Sequence, residues 1–475
     1  MNWYFLPRVL SAGMTVIVLM VLTRLIGAAD FGRYSVILVT GTTGHTLISA
    51  WMVAALVRFH SAPEHGERTQ AMILGCTFVL LVTVLPIALL LYAILPDGRG
   101  LAVLMVAVFG ASHAVHEIGL AGLQIMKERK LYTAVALFRP VIGVTLAVSL
   151  VATGMGYSAA VLGMALGAAL SGGIALRKMM QHSRPTLPSL RSLRTFLTFG
   201  VPLGIVASSG MILLLVMQYL LAQFVGLEAV GYFAAAQTIA QRTIVLPMTS
   251  LTRSNEVVIF GAHERGGRTE SAEHIKRHFS FLVFLALPFV MLLATASNSV
   301  AAVLFDEAFA QNVAGFLPLL AVAALATGLQ GNFFALPFTL SRRTDLQFLA
   351  SAMTLALHLP FSLAAIVFLG GSGAGVGMVM SAFLGITIFF VIGRRLEPVF
   401  LPRVEIGAAL VGSAVLGLFG MLASASAAVP LFFLCIVAGF ALYVALLAWL
   451  GQQAALEAVR HLGRVLGRFH SGRSG

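Results

Sequence analysis

Long apolar runs separated by short polar connections follow one another along nearly the whole chain. A run of about 18 to 25 residues can cross a ~30 Å hydrocarbon core as a helix. Fourteen such runs are found, over residues 8–27, 34–56, 71–94, 101–124, 132–153, 159–176, 197–221, 232–256, 280–304, 313–337, 346–369, 375–393, 405–424 and 430–450. The pattern predicts an all-α membrane protein of about fourteen transmembrane helices. The first run continues from Val9 to Gly27 without the short core and small-residue cleavage site of a secretory signal, so it is expected to remain in the protein.

Composition agrees. Hydrophobic residues make up 59% of the 475 and charged residues 10%, with a mean hydropathy of +0.98. Cys76 and Cys435 both fall inside apolar runs and read as small core residues. A net charge of +13 is compatible with a nucleic-acid partner, but the placement of the cations argues for topology instead. With the N-terminus inside, 24 of the 30 Lys and Arg residues fall on the inner side, and only Arg33 and Arg99 on outer loops. The positive-inside rule therefore places both termini in the cytoplasm. Outer connections such as 95–100 and 370–374 are too short to form a domain.

An internal repeat divides the chain. Residues 23–34, TRLIGAADFGRY, align with residues 222–233, AQFVGLEAVGYF, each with two glycines five apart: Gly27 and Gly32, Gly226 and Gly231. A second match pairs Leu137-Phe138-Arg139-Pro140 with Leu357-His358-Leu359-Pro360. Both matches relate helix n to helix n+6, an even step, so the repeats are parallel, with a substrate site expected between them. The organisation read from this is an N-terminal six-helix half at 1–176, a basic cytoplasmic linker at 177–195 and a C-terminal six-helix half at 196–395. Helices 13 and 14 follow at 396–451, then a basic amphipathic cytoplasmic tail at 452–475, in which Arg460, Arg464 and Arg468 recur at four-residue spacing.

Polar residues deep in the runs are the candidates for function, because intramembrane charges face a bundle interior or a solvated path. At ~1.5 Å per residue, Arg139 and Arg242 lie roughly 13 to 15 Å into their helices, near the midplane. His45 and His358 come out at similar depth. His45 and Arg242 fall on equivalent helices 2 and 8, and Arg139 and His358 on equivalent helices 5 and 11. All four are read as cavity-lining. For Arg139 the alternative is bonding to carbonyls freed by Pro140, and for the histidines a bond to a neighbouring helix. Helix 8 adds Gln237, Gln241 and Arg253, and helix 10 adds Gln330 and Asn332, which suit sugar hydroxyls or neighbouring helices. His113 and Glu117, four apart on one helix, are a candidate proton-coupling pair. Their alternative is a buried ion pair, for example with Arg139. No metal site and no catalytic residue is expected, since His113, His116 and Glu117 supply too few ligands. No phosphate-binding GxxxxGK[ST] loop occurs.

TRLIGAADFGRY at 23–34, LVRFHSAPEHGER at 56–68 and GYFAAAQTIAQRTIVLPMTSLTRSNE at 231–256 resemble the polysaccharide transporter family of O-antigen and exopolysaccharide flippases. Its superfamily also includes multidrug and toxin extruders and the lipid-linked murein precursor flippase. The resemblance implies a bundle that alternates between inward- and outward-open states. Such a protein moves a polyprenyl-diphosphate-linked oligosaccharide across the bacterial cytoplasmic membrane through a cationic central cavity. Basic residues of helices 1, 2 and 8 line that cavity in such relatives, which by position implies Arg24, Arg58 and Arg242 here. The implied partners are the lipid-linked oligosaccharide, membrane lipids, and glycan polymerase and export proteins, with no cofactor and no nucleic acid. The rival is an ion-coupled multidrug exporter of the same fold, which would favour an acidic, aromatic pocket. Glu117 is the only deep carboxylate.

Overall fold

The computed structural model describes residues 5–60, 66–96, 98–398, 401–424 and 429–457. Every regular element among them is helical. Among the described residues, twelve helices are long and apolar enough to cross a membrane. Two of these are too long for one crossing: Gly13–His60 has 48 residues and Leu227–Thr295 has 69. At ~1.5 Å per residue each exceeds twice the hydrocarbon thickness. Each is broken inside by a glycine with backbone angles closed to other residues, Gly27 (φ 72°, ψ 176°) and Gly267 (φ 64°, ψ −146°). Counted on either side of these breaks, the apolar stretches number fourteen, as the hydropathy pattern predicts.

Two compact units are present. The first comprises residues 1–234 with 358–366, the second residues 235–357 with 367–475. Unit 1 is built from α1 (Phe5–His60), α2 (Gly66–Ile94), α3 (Arg99–Ile125), α4 (Arg129–Val151), α5 (Gly156–Met180), α6 (Leu190–Phe224) and the start of α7 (Leu227–Ala240). Small residues let its helices approach closely, which is how packing is gained where lipid is as apolar as the side chains. A Cβ on Gly172 of α5 would come 2.7 Å from the backbone nitrogen of His116 on α3. One on Gly167 would lie 2.8 Å from the carbonyl oxygen of Arg139 on α4. Trp51, Ile73, Leu74, Ile118, Met179 and Phe196 form the core where α1, α2, α3, α5 and α6 meet. The connection between α5 and α6, expected to be a linker, folds onto α2: Thr186 N–H donates to the Ala71 carbonyl at 3.0 Å.

The sequence repeat acquires a physical meaning in this unit. A Cβ on Gly32 would overlap the carbonyl of Leu227, and one on Gly231 would overlap the carbonyl of Ala28. Copy one leans on copy two as copy two leans on copy one. Such reciprocity is what a twofold relation between equivalent segments produces at the point where they cross.

In unit 2, α7 passes into a π-helical turn at Gln241–Val245 and then into α8 (Leu246–Thr295). After the short α9 (Ser297–Leu304), α10 (Glu307–Leu329) ends in a second π-helical turn at Gln330–Phe334, followed by α11 (Leu336–Leu340). Helix α12 (Thr344–Leu369) is shared by the units. Helix α13 (Ser372–Gly393) and the pair α14 (Arg403–Ser424) and α15 (Val429–Trp449) complete the chain. The pair is tied to α8 by the Tyr443 hydroxyl, which donates to the Phe284 carbonyl at 2.8 Å. Ion pairs secure the same region: Arg268 with Glu397 at 2.9 Å, Lys276 with Glu405 at 3.6 Å, and Arg277 with Glu457. The expected tail helix falls mostly on 458–475, outside the described residues.

Candidate functional site

Unit 1 gathers three imidazoles and a guanidinium inside its helices. His45 of α1 lies with its ring centroid 6.0 Å from that of His113 on α3. His113 stacks on Phe109 at 3.9 Å, and its Nδ1 sits 3.0 Å from the Phe109 carbonyl. One turn on, His116 Nδ1 is 2.8 Å from the Ser171 hydroxyl of α5, where Gly172 brings the two backbones together. Arg139 of α4 acts electrostatically on all three imidazoles. It is half-buried, and it makes no hydrogen bond or ion pair to any described residue. Pro140 therefore does not consume it, contrary to the local alternative. Arginine cannot shed its proton, so a positive charge stands here at mid-span.

The pairing of His113 with Glu117 is not realised as a site. His113 is buried, whereas Glu117 is exposed on the same helix and forms no bond with it or with Arg139. A spacing of four residues shares a helix face only broadly, and the bonds of His113 point it into the bundle. His358 also departs from a cavity-lining role. It is fully buried, its Nε2 lies 3.0 Å from the Leu213 carbonyl of α6, and Ser362 Oγ is 3.2 Å from its Nδ1. Its ring joins two helices. Arg24 and Arg58 are exposed on α1.

Unit 2 carries Arg242 on the π-helical turn, half-buried, with Gln241 beside it. A π-turn inserts an extra residue into the helical register, which re-aims the side chains there and often marks a functional position. Gln237 is buried one turn earlier, and its Oε1 has no hydrogen-bond partner. Arg253 is exposed. Asn332, on the second π-turn, is buried and donates from Nδ2 to the Gly328 carbonyl at 2.8 Å, so that amide serves its own helix. Its backbone carbonyl lies 3.1 Å from His278 Nε2, and His278 Nδ1 lies 3.1 Å from Asn255 Nδ2. The histidine thus links the two arms of α8, before and after Gly267, to the second π-turn. The sequence pattern gave no sign of this network: His278 lies just outside a predicted span, and its partners come from other segments. Among the described residues no group of three or more His, Cys, Asp and Glu is placed to hold a metal.

These arrangements can be set against known proteins. The family model described as polysaccharide biosynthesis protein matches residues 1–254. Comparison with curated protein sequences gives no match. Among solved structures, the lipid II flippase MurJ in an inward closed conformation superposes with a TM-score of 0.74 at 13% identity, covering 94% of this chain and 96% of that one. An inward-facing multidrug resistance MATE transporter of the MOP superfamily gives 0.60 at 16%, covering 84% and 95%. A MOP superfamily transporter from Pyrococcus furiosus gives 0.55 at 15%, covering 85% and 94%. At such identities these likenesses show the fold alone: a multi-pass membrane bundle of the type found in flippases and multidrug exporters. The family model spans more than half of the chain, and the chain belongs to the polysaccharide biosynthesis protein family.

Proposed function

We propose that the protein is a flippase that moves a polyprenyl-diphosphate-linked oligosaccharide from the inner to the outer leaflet of the bacterial cytoplasmic membrane, by alternating access, for surface or exopolysaccharide synthesis. The observation that carries this reading is Arg139, a permanent charge at mid-span that no described residue neutralises. A charge at the centre of a membrane helix costs about 2.5 to 3.5 kcal/mol even on the lenient insertion scale. A transient anionic ligand supplies what the protein omits. Diphosphate suits the role because a guanidinium binds phosphate oxygens through paired, charge-assisted hydrogen bonds. Arg242 on its π-turn offers a second such group, and Gln237 an unsatisfied buried acceptor for a hydroxyl. The fold shared with MurJ and the family membership favour the same substrate class. The rival multidrug exporter shares the fold, but a cationic drug would meet the charge of Arg139 where it needs a carboxylate.

The test is genetic and chemical. In cells lacking the native gene, Arg242→Ala produced at the wild-type level should accumulate lipid-linked glycan in the inner leaflet and lose surface glycan. Normal surface glycan in that variant would remove Arg242 from the mechanism, and normal glycan in the deletion itself would overturn the flippase reading.

A further inference from the structure

Unit 1 contains a crevice of about 290 Å³ between α1, α2 and α3. Its α2 wall runs from Leu80 to Leu91 and its α3 wall from Val103 to Ala114. Each wall covers eleven helical steps, about 16 Å. The walls begin beside the turn joining α2 to α3 and run inward for about half of a ~30 Å hydrocarbon core. Every lining residue except His45 is apolar or glycine. The floor is closed where α1 crosses α3, since a Cβ on Gly41 would lie 2.7 Å from Cδ1 of Phe109. Beside it the space is open: a Cβ on Gly44 would meet no atom within 4 Å.

The single polar lining residue gives the crevice a direction. His45 neighbours His113 at 6.0 Å and feels the charge of Arg139. Around it are the His113 imidazole of α3 and, acting through space, the Arg139 guanidinium of α4; Ser171 of α5 lies further along, at His116, and among the described residues no carboxylate bonds any of them. The crevice is therefore apolar toward the membrane surface and cationic at mid-depth. A resident phospholipid has the opposite polarity, with its phosphate at the surface and its chain ends at mid-depth. The occupant whose polarity matches has its apolar chain toward the surface and an anionic head that has already left it.

We propose that this crevice holds the polyprenyl chain of the lipid-linked substrate while its phosphate end rests against His45 and Arg139. This inference builds on the flippase reading and adds to it a binding place for the chain within unit 1. It assigns Gly44 as a residue whose lack of a side chain keeps that place open.

The full-length protein in lipid nanodiscs, photolabelled with a diazirine-bearing polyprenyl phosphate or a diazirine-bearing phosphatidylglycerol, tests this. The prenyl probe should label peptides containing 80–91 and 103–114, and labelling should fall at least tenfold in Gly44→Leu. That side chain enters open space, so the variant should remain folded. Gly210→Leu on α6, also at an open glycine, is the control and should label as wild type. Preferential labelling of these peptides by phosphatidylglycerol, or unchanged prenyl labelling in Gly44→Leu, overturns the proposal. Surface glycan in a flippase-deficient host separates the two levels. If the wild type restores glycan while Gly44→Leu labels and transports normally, only the chain site fails. If the wild type restores none, the flippase reading fails and the chain site with it.

Discussion

The Arg139 guanidinium, which bonds to no described residue, says more about this protein than any other side chain. Arg139 and His358 lie on equivalent helices of the repeat, one position out of register, yet Arg139 bonds to no described residue while His358 is fastened to the Leu213 carbonyl. Depth along a helix can be counted from sequence, and by that count both were candidates. Rotation about the helix axis cannot be counted so well, and it is rotation that decides whether a polar group meets a neighbouring backbone or a vacant path. The same limit separated His113 from Glu117. Arg139 therefore supports a definite prediction. Replacing it with Gln removes charge-assisted hydrogen bonds worth about 1.5 to 3 kcal/mol. That corresponds to roughly 10- to 150-fold weaker binding of a polyprenyl diphosphate. Arg139→Lys retains the charge without the planar fork and should fall between. Titration of each purified variant with fluorescent polyprenyl diphosphate checks the order; equal affinity for all three would show that the guanidinium faces no phosphate.

At the scale of helices, glycine positions distinguish packing from mere permissiveness. In an exposed helix, Gly→Ala gains up to about 1 kcal/mol. Gly210 of α6 has nothing within 4 Å of a new Cβ, so Gly210→Ala should be neutral or stabilising. Gly32 and Gly231 each press against a carbonyl of the other repeat copy, and overpacking of this kind costs about 1 to 3 kcal/mol. Gly32→Ala and Gly231→Ala should each lower the thermal midpoint in detergent, opposite in sign to Gly210→Ala. A common upward shift in all three would mean that the crossing is looser than its geometry. The recurrence of two glycines at fixed spacing is legible in the sequence. That the two copies touch each other is not, since contact between positions some 200 residues apart leaves no trace in local spacing. The π-turns were equally hidden: an extra residue per turn has no compositional signature, and Arg242 sits on one of them.

For the whole molecule, hydrophobic length settled the number of apolar stretches, because crossing a bilayer is a one-dimensional requirement that a sequence states directly. It did not reveal that Gly27 and Gly267 interrupt longer helices in which neighbouring stretches are joined, since a helix can turn at one glycine without a loop. Sidedness is a different matter: a helical bundle is the same object whichever way it is inserted, and only the flanking cations choose. Arg33 and Arg99 are the sole cations on the predicted outer loops, against 24 on the inner side, and Arg33 is already paired with Asp30 at 2.8 Å. That asymmetry should hold the C-terminus in the cytoplasm. Alkaline phosphatase, active only outside the cytoplasm, should therefore be inactive when fused after Gly475 and active when fused at Gly98, in the turn between α2 and α3. The reverse pattern would invert the whole bundle. It would also turn the mouth of the α1–α3 crevice toward the cytoplasmic leaflet, so that the chain of an inner-leaflet substrate would have to enter from the leaflet its headgroup was leaving.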